Sequence, residues 1–92
     1  MLLAIDVGNT NTVLGVFDGD ELVKSWRVKT DYRDTSDELW IRFSNLLEGF
    51  EVDALAICST VPAVLRELRT MVENYFEKLP VTIVEPGVKT GV

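Results

Sequence analysis

The chain has 92 residues, 47% hydrophobic and 26% charged, with six Gly and three Pro, a balance that excludes a disordered or collagen-like chain and describes one globular domain. Nine basic against fifteen acidic residues leave a net charge of −6, and no Lys/Arg run is present to neutralise a row of phosphates, so nucleic-acid binding is not expected. There is no histidine and one cysteine, Cys58, which removes Ser-His-Asp, Cys-His and His-ligated zinc chemistry and any internal disulfide.

A domain of this length buries only about 60–65% of the surface its unfolded chain exposes, so it is expected to be marginal alone unless a partner or further chain covers it. Met1 to Ile5 is apolar, but Asp6 interrupts the run too early for a secretory segment, and no 18-residue apolar stretch follows. A cytoplasmic protein with no membrane partner is expected.

Leu2-Leu3-Ala4-Ile5 and Val13-Leu14-Gly15-Val16-Phe17 are apolar runs separated by Gly8-Asn9-Thr10-Asn11-Thr12, which predicts two strands joined by a tight turn. Asp18-Gly19-Asp20 is a second turn signal, and the alternation from Leu22 to Lys29 predicts a third strand, solvated on one face. Thr35 and Glu38 have the spacing of a capping box. Leu39, Trp40, Phe43, Leu46, Leu47 and Phe50 then follow as the stripe of a core-facing helix, with Gly49 near its end. Ala54 to Ile57 predicts a buried strand running into Cys58-Ser59-Thr60, and Pro62 suits the first position of a second helix. That helix carries Val64, Leu65, Leu68, Met71, Val72, Tyr75 and Phe76 on one face. Val81 to Val84 predicts a last buried strand. The order β-β-β-α-β-α-β implies an α/β fold whose mixed sheet has three antiparallel strands and then parallel strands added by crossover helices.

Three segments can carry chemistry. In Asp6-Val7-Gly8-Asn9-Thr10-Asn11-Thr12 a carboxylate ends one strand and a polar, small-residue turn follows. Gly8 permits close backbone approach, turn amides and the hydroxyls of Thr10 and Thr12 can donate to phosphate oxygens, and Asp6 can hold Mg²⁺ directly or through water. A plain hairpin turn with an Asx-type bond from Asp6 accounts for the same residues. Cys58-Ser59-Thr60-Val61-Pro62 empties a strand into a helix N-terminus whose amides can meet an anion, or Ser59 or Thr60 simply caps that helix. Cys58 has no histidine to activate it and reads as a packed, small apolar residue. In Glu85-Pro86-Gly87-Val88-Lys89-Thr90-Gly91, Lys89 can contact a phosphate or carboxylate, or be an ordinary solvated lysine. Asp31, Asp34, Asp37 and Glu38 read as a solvated loop with favourable charge at a helix start. Trp26 and Trp40 are assigned to packing.

Those three segments, in that order and spacing, together with Trp26-Arg27-Val28-Lys29-Thr30 before Asp37-Glu38-Leu39, resemble the type III pantothenate kinases over the whole chain. The resemblance implies an actin-like, ribonuclease H-like ATPase fold of two similar halves. It also implies a homodimer that uses ATP and Mg²⁺ to phosphorylate pantothenate to 4'-phosphopantothenate, the first step of coenzyme A synthesis, with a monovalent cation (K⁺ or NH₄⁺). By the same resemblance Asp6, Val7, Gly8, Asn9, Thr10, Asn11 and Thr12 form the first phosphate-binding loop, and Asp6 is the Mg²⁺-proximal acid.

Residues 1–92 would be an N-terminal half domain. They end before the Gly-Ala-Asp-Arg segment that supplies the family's catalytic aspartate and pantothenate contacts, and before its second phosphate loop. No catalytic residue is therefore expected in this segment, which alone is expected to be inactive. Two other readings remain open: a non-catalytic nucleotide-binding accessory or regulatory protein of the same fold, and a different actin-like sugar or acid kinase, which the Gly-Asn-Thr turn disfavours.

Overall fold

The structure, a computed structural model, describes residues 1–84. It contains β1 (Leu2–Val7), β2 (Asn11–Asp18), β3 (Glu21–Lys29), α1 (Ser36–Leu47), β4 (Ala54–Ser59), α2 (Pro62–Tyr75) and β5 (Val81–Val84). The strands form one sheet in the order β3-β2-β1-β4-β5. β1, β2 and β3 are antiparallel neighbours, β4 lies parallel to β1, and β5 lies parallel to β4. This is the mixed sheet the element order predicts.

The two helical connections decide how the sheet is covered. β3 and β4 are each parallel to β1, so β3→β4 and β4→β5 both join parallel strands, and both step across the sheet in the same direction. Right-handed crossovers then put both helices on one face. Leu39, Phe43 and Leu47 of α1 and Val64, Leu65, Leu68, Met71 and Val72 of α2 accordingly share one core with Leu3, Ile5, Val7, Leu14, Val16, Leu55 and Ile57 of the strands. The period of two sends the alternate residues to the other face, over which no helix of the described residues lies. Cys58 is on that face and is exposed, not packed as the sequence suggests. The expectation of a buried last strand holds for one face only: among the described residues β5 is an edge strand, with Val81 and Ile83 packed against the core and Thr82 and Val84 exposed.

The helix termini follow local chemistry. The Thr35 side chain accepts from the Glu38 N–H at 3.2 Å while the Glu38 carboxylate accepts from the Thr35 N–H at 3.0 Å, the capping box expected from the spacing. Another orphan amide of this terminus, Ser36 N–H, donates to Glu67 of α2 at 3.1 Å. Beyond α1, Gly49 takes φ +89°, the left-handed conformation that ends a helix at little cost only for glycine. Pro62 does open α2, but its N-cap is Val61 with no side-chain cap bond. Neither Ser59 nor Thr60 caps it. Across the helix pair, Trp40 stacks on Tyr75 with ring centroids 4.6 Å apart, and the Tyr75 hydroxyl donates to Asp37 at 2.7 Å. That bond holds the phenol's proton and raises its pKa. Trp26 packs edge-on to Phe50 at 5.7 Å.

Asp34 departs from the solvated acidic loop expected of it. It is buried, 8% exposed, and Arg42 Nη1 lies 2.7 Å from its Oδ2. That approach is off the hydrogen-bonding direction and leaves Oδ2 without a hydrogen bond, while Nη2 donates to Oδ1 at 3.4 Å. Desolvation raises the Asp34 pKa above 3.8, Arg42 opposes this, and Asp31 and Glu38 add to it. Among the described residues no helix is long and apolar enough to cross a membrane.

Two outcomes test this packing. Leu68, fully buried under the sheet, should cost about 2–5 kcal/mol as Leu68→Ala, seen as a lower urea midpoint at unchanged slope. Arg42→Met strands the Asp34 carboxylate and should cost about 1–3 kcal/mol at neutral pH. Because the folded-state pKa of Asp34 is raised, this group favours the fold most below pH 3.8 and loses that contribution as pH climbs through the raised value. The variant raises that pKa further, so its deficit should shrink as the pH is lowered and Asp34 protonates. An equal deficit at pH 7 and at acid pH would show that the ion pair is not its source.

Candidate functional site

The chemistry-bearing segments meet at the carboxyl ends of β1 and β4, where open α/β sheets bind ligands. Register brings them together: Val7 lies opposite Thr12 on one side and Ser59 on the other. The β1–β2 connection is a narrow hairpin in which Gly8 N–H donates to the Asn11 carbonyl at 2.9 Å. A Cβ at Gly8 would sit 3.3 Å from that oxygen, a tight contact that the turn would have to relax by a few tenths of an ångström, so glycine suits the close approach here rather than an unusual φ.

Four successive carbonyls of this turn are held from outside it. The Val7 carbonyl accepts from Thr60 N–H at 3.1 Å and from the Thr60 hydroxyl at 3.4 Å. Gly8 O accepts from the Thr30 hydroxyl at 2.9 Å, Asn9 O from the Tyr32 hydroxyl at 2.8 Å, and Thr10 O from Thr30 N–H at 2.9 Å. Among the described residues the N–H groups of Asn9 and Thr10 make no hydrogen bond. A turn with its carbonyls pinned back and two amides free has the polarity of an anion-binding concavity.

The predicted residues divide into two groups. Asp6, Asn9, Thr10 and Asn11 are exposed at the turn; Asp6 is on the helix-free face, paired across the strands with Val13 and Cys58, beside a shallow hollow of about 180 Å³ that Phe17 and Leu22 help to line. Val7 and Thr12 are buried, and the Thr12 hydroxyl meets the Thr30 hydroxyl at 2.9 Å instead of facing outward as a phosphate donor. Ser59 is 1% exposed and its hydroxyl bonds both the N–H and the carbonyl of Val61, which fixes the β4–α2 junction. Thr60 serves the turn through Val7. Lys89 and its loop lie outside the described residues.

The structure also brings to the turn residues to which the sequence alone assigns no role in the site. A groove of about 850 Å³ adjoins the turn at Asn9 and is lined by Lys29, Thr30, Asp31, Tyr32, Arg33 and Arg42 among others. Arg33 is tied to Asp31, whose pKa is lowered chiefly by its bond to the Arg33 backbone N–H. Thr30 and Tyr32 reach the turn because β3 runs antiparallel to β2 and delivers the residues after Lys29 beside it. Only that strand pairing reveals them.

For a metal, the described residues contain no cluster of three or more His, Cys, Asp or Glu. Asp6 stands as a single exposed carboxylate, a donor that fits Mg²⁺, which keeps several waters and takes one or two carboxylates alongside phosphate oxygens.

Comparison with known proteins places this geometry. The chain is 18% identical to a Thermus thermophilus ROK hexokinase, with a TM-score of 0.66 over 91% of this chain and 33% of the hexokinase. With Thermus thermophilus RuvC the TM-score is 0.59 at 25% identity, over 92% of this chain and 61% of RuvC. These likenesses show the expected ribonuclease H-like, actin-like fold. Type III pantothenate kinases of Frankia alni and Salinispora arenicola are 63% and 62% identical to it over 92 and 94 aligned residues, covering 100% of this chain and 37% of each relative. The chain thus spans a little over a third of the length of these curated relatives. The family model for type III pantothenate kinase matches residues 2–92, so by its sequence the chain belongs to the type III pantothenate kinase family.

Proposed function

We propose that the protein carrying this chain is an ATP-dependent kinase that phosphorylates pantothenate to 4'-phosphopantothenate, opening coenzyme A synthesis, and that residues 1–92 supply its first phosphate-binding half. Family membership across the matched residues sets the reaction class. The observation that carries the role of this segment is the β1–β2 turn, whose Asn9 and Thr10 amides have no partner among the described residues and which follows the exposed Asp6 at the end of β1.

The chain's own residues bind and orient. The Asn9 and Thr10 amides donate to phosphate oxygens of ATP, and Thr10, exposed at the turn, has a hydroxyl that can add a donor. These donors are fixed before the nucleotide arrives, so they stabilise charge on the transferring phosphoryl group without reorganising. Asp6 would hold Mg²⁺ directly or through water. When bound, that ion would offset negative charge on the phosphate oxygens.

The acid that orients the pantothenate hydroxyl, the second phosphate loop, the monovalent-cation site and most of the dimer interface belong, in this reading, to chain beyond the segment. The segment alone is then inactive, and the complete protein is a homodimer. Asp6→Asn in the complete protein should lower turnover about 100-fold or more with an unchanged circular dichroism spectrum. Near-normal turnover in a folded Asp6→Asn protein would overturn the role given to this turn.

A further inference from the structure

We propose that Thr30 and Tyr32 are positioning residues which aim the Asn9 and Thr10 amides of the turn at the nucleotide phosphates. The inference rests on the phosphate-turn reading above and extends it to residues outside the turn. A peptide group is planar, so a carbonyl and the N–H that follows it point to opposite sides as one rigid unit. Whatever holds the Gly8 carbonyl therefore sets the direction of the Asn9 N–H, and whatever holds the Asn9 carbonyl sets the Thr10 N–H. The first holder is the Thr30 hydroxyl at 2.9 Å and the second is the Tyr32 hydroxyl at 2.8 Å. The two amides so aimed are the two that have no partner among the described residues.

Proton counting gives the network a direction. A hydroxyl has one proton to donate, and that of Thr30 goes to the Gly8 carbonyl. In the 2.9 Å contact between the Thr12 and Thr30 hydroxyls, Thr12 must then be the donor. The relay runs Thr12 to Thr30 to Gly8, which explains why a buried threonine occupies β2 at that position. Thr30 also donates its own N–H to the Thr10 carbonyl, so one residue grips the turn on both sides of its tip.

The test compares ATP binding by calorimetry and steady-state kinetics in the complete protein. Thr30→Val, nearly isosteric but lacking the donor, should weaken ATP binding and raise its KM about 10- to 100-fold while leaving the KM for pantothenate within twofold. Thr30→Ser, which keeps the hydroxyl, should restore both. Tyr32→Phe removes only the hydroxyl of an exposed side chain and should weaken ATP binding about tenfold; it decides the matter alone if Thr30→Val does not fold. If Thr30→Val and Tyr32→Phe both bind ATP within twofold of the parent while Asp6→Asn is impaired, the positioning role is overturned and the phosphate turn stands. If ATP binding and turnover are unmoved in all three variants, the phosphate turn falls, and this proposal with it. Equal losses in Thr30→Val, which keeps the methyl group, and Thr30→Ser, which keeps the hydroxyl, would show that any change to this side chain disturbs the site and would also overturn the proposal.

Discussion

β1 is hydrogen-bonded antiparallel to β2 on one side and parallel to β4 on the other, and the site depends on that double pairing. An antiparallel neighbour returns the chain through a tight hairpin, whereas a parallel neighbour leaves its own carboxyl end free to run into a helix. At the end of β1 the first supplies the turn at Gly8–Asn11 and the second the junction at Ser59–Pro62. Thr60 closes the two together through the Val7 carbonyl. Shifting either register by one residue would put Asp6 into the core and Val7 on the surface.

The cost of such a slip is what secures the register. Leu3, Ile5 and Val7 alternate with Ala4 and Asp6, and the first three sit under the helices with Leu14, Val16, Leu55 and Ile57. The same alternation gives the site its opposed surroundings, with Thr12, the start of the relay, buried on the helix side of the sheet and Asp6 exposed on the other. A hydrogen-bonded relay is strengthened where water is excluded. A carboxylate meant to hold a hydrated cation has the opposite need, since burial disfavours its charged form. Asp34 is the buried counterexample: desolvation raises its pKa although Arg42 lies against it.

The net charge of −6 is no obstacle to binding a phosphate, because the groups facing the ligand are backbone amides and not net charges. Local dipoles at short range outweigh surface carboxylates, whose fields are screened over about 8–10 Å at physiological salt. Lys29 and Arg33 border the adjoining groove and make that side of the turn less acidic than the chain as a whole.

Much of this architecture is written locally. The capping box at Thr35 and Glu38, Pro62 at the first position of α2, the glycine that ends α1 and the period-two runs of β1 and β4 are each encoded within a few residues, and the sequence alone determined them. It also determined the turn at Gly8–Asn11 and, with the element order, the mixed sheet. Only the tertiary structure decided that Thr12 faces inward, that Ser59 ties down the β4–α2 junction, that Cys58 is exposed, that Asp34 is buried, and that Thr30 and Tyr32 grip the turn. The bonds to the turn span 22 and 23 positions in sequence, and they exist because β3 pairs with β2 in one register. A short-range pattern can specify which way a strand's residues alternate. It cannot specify which distant hydroxyl will arrive beside a carbonyl, because that depends on how the whole sheet is assembled.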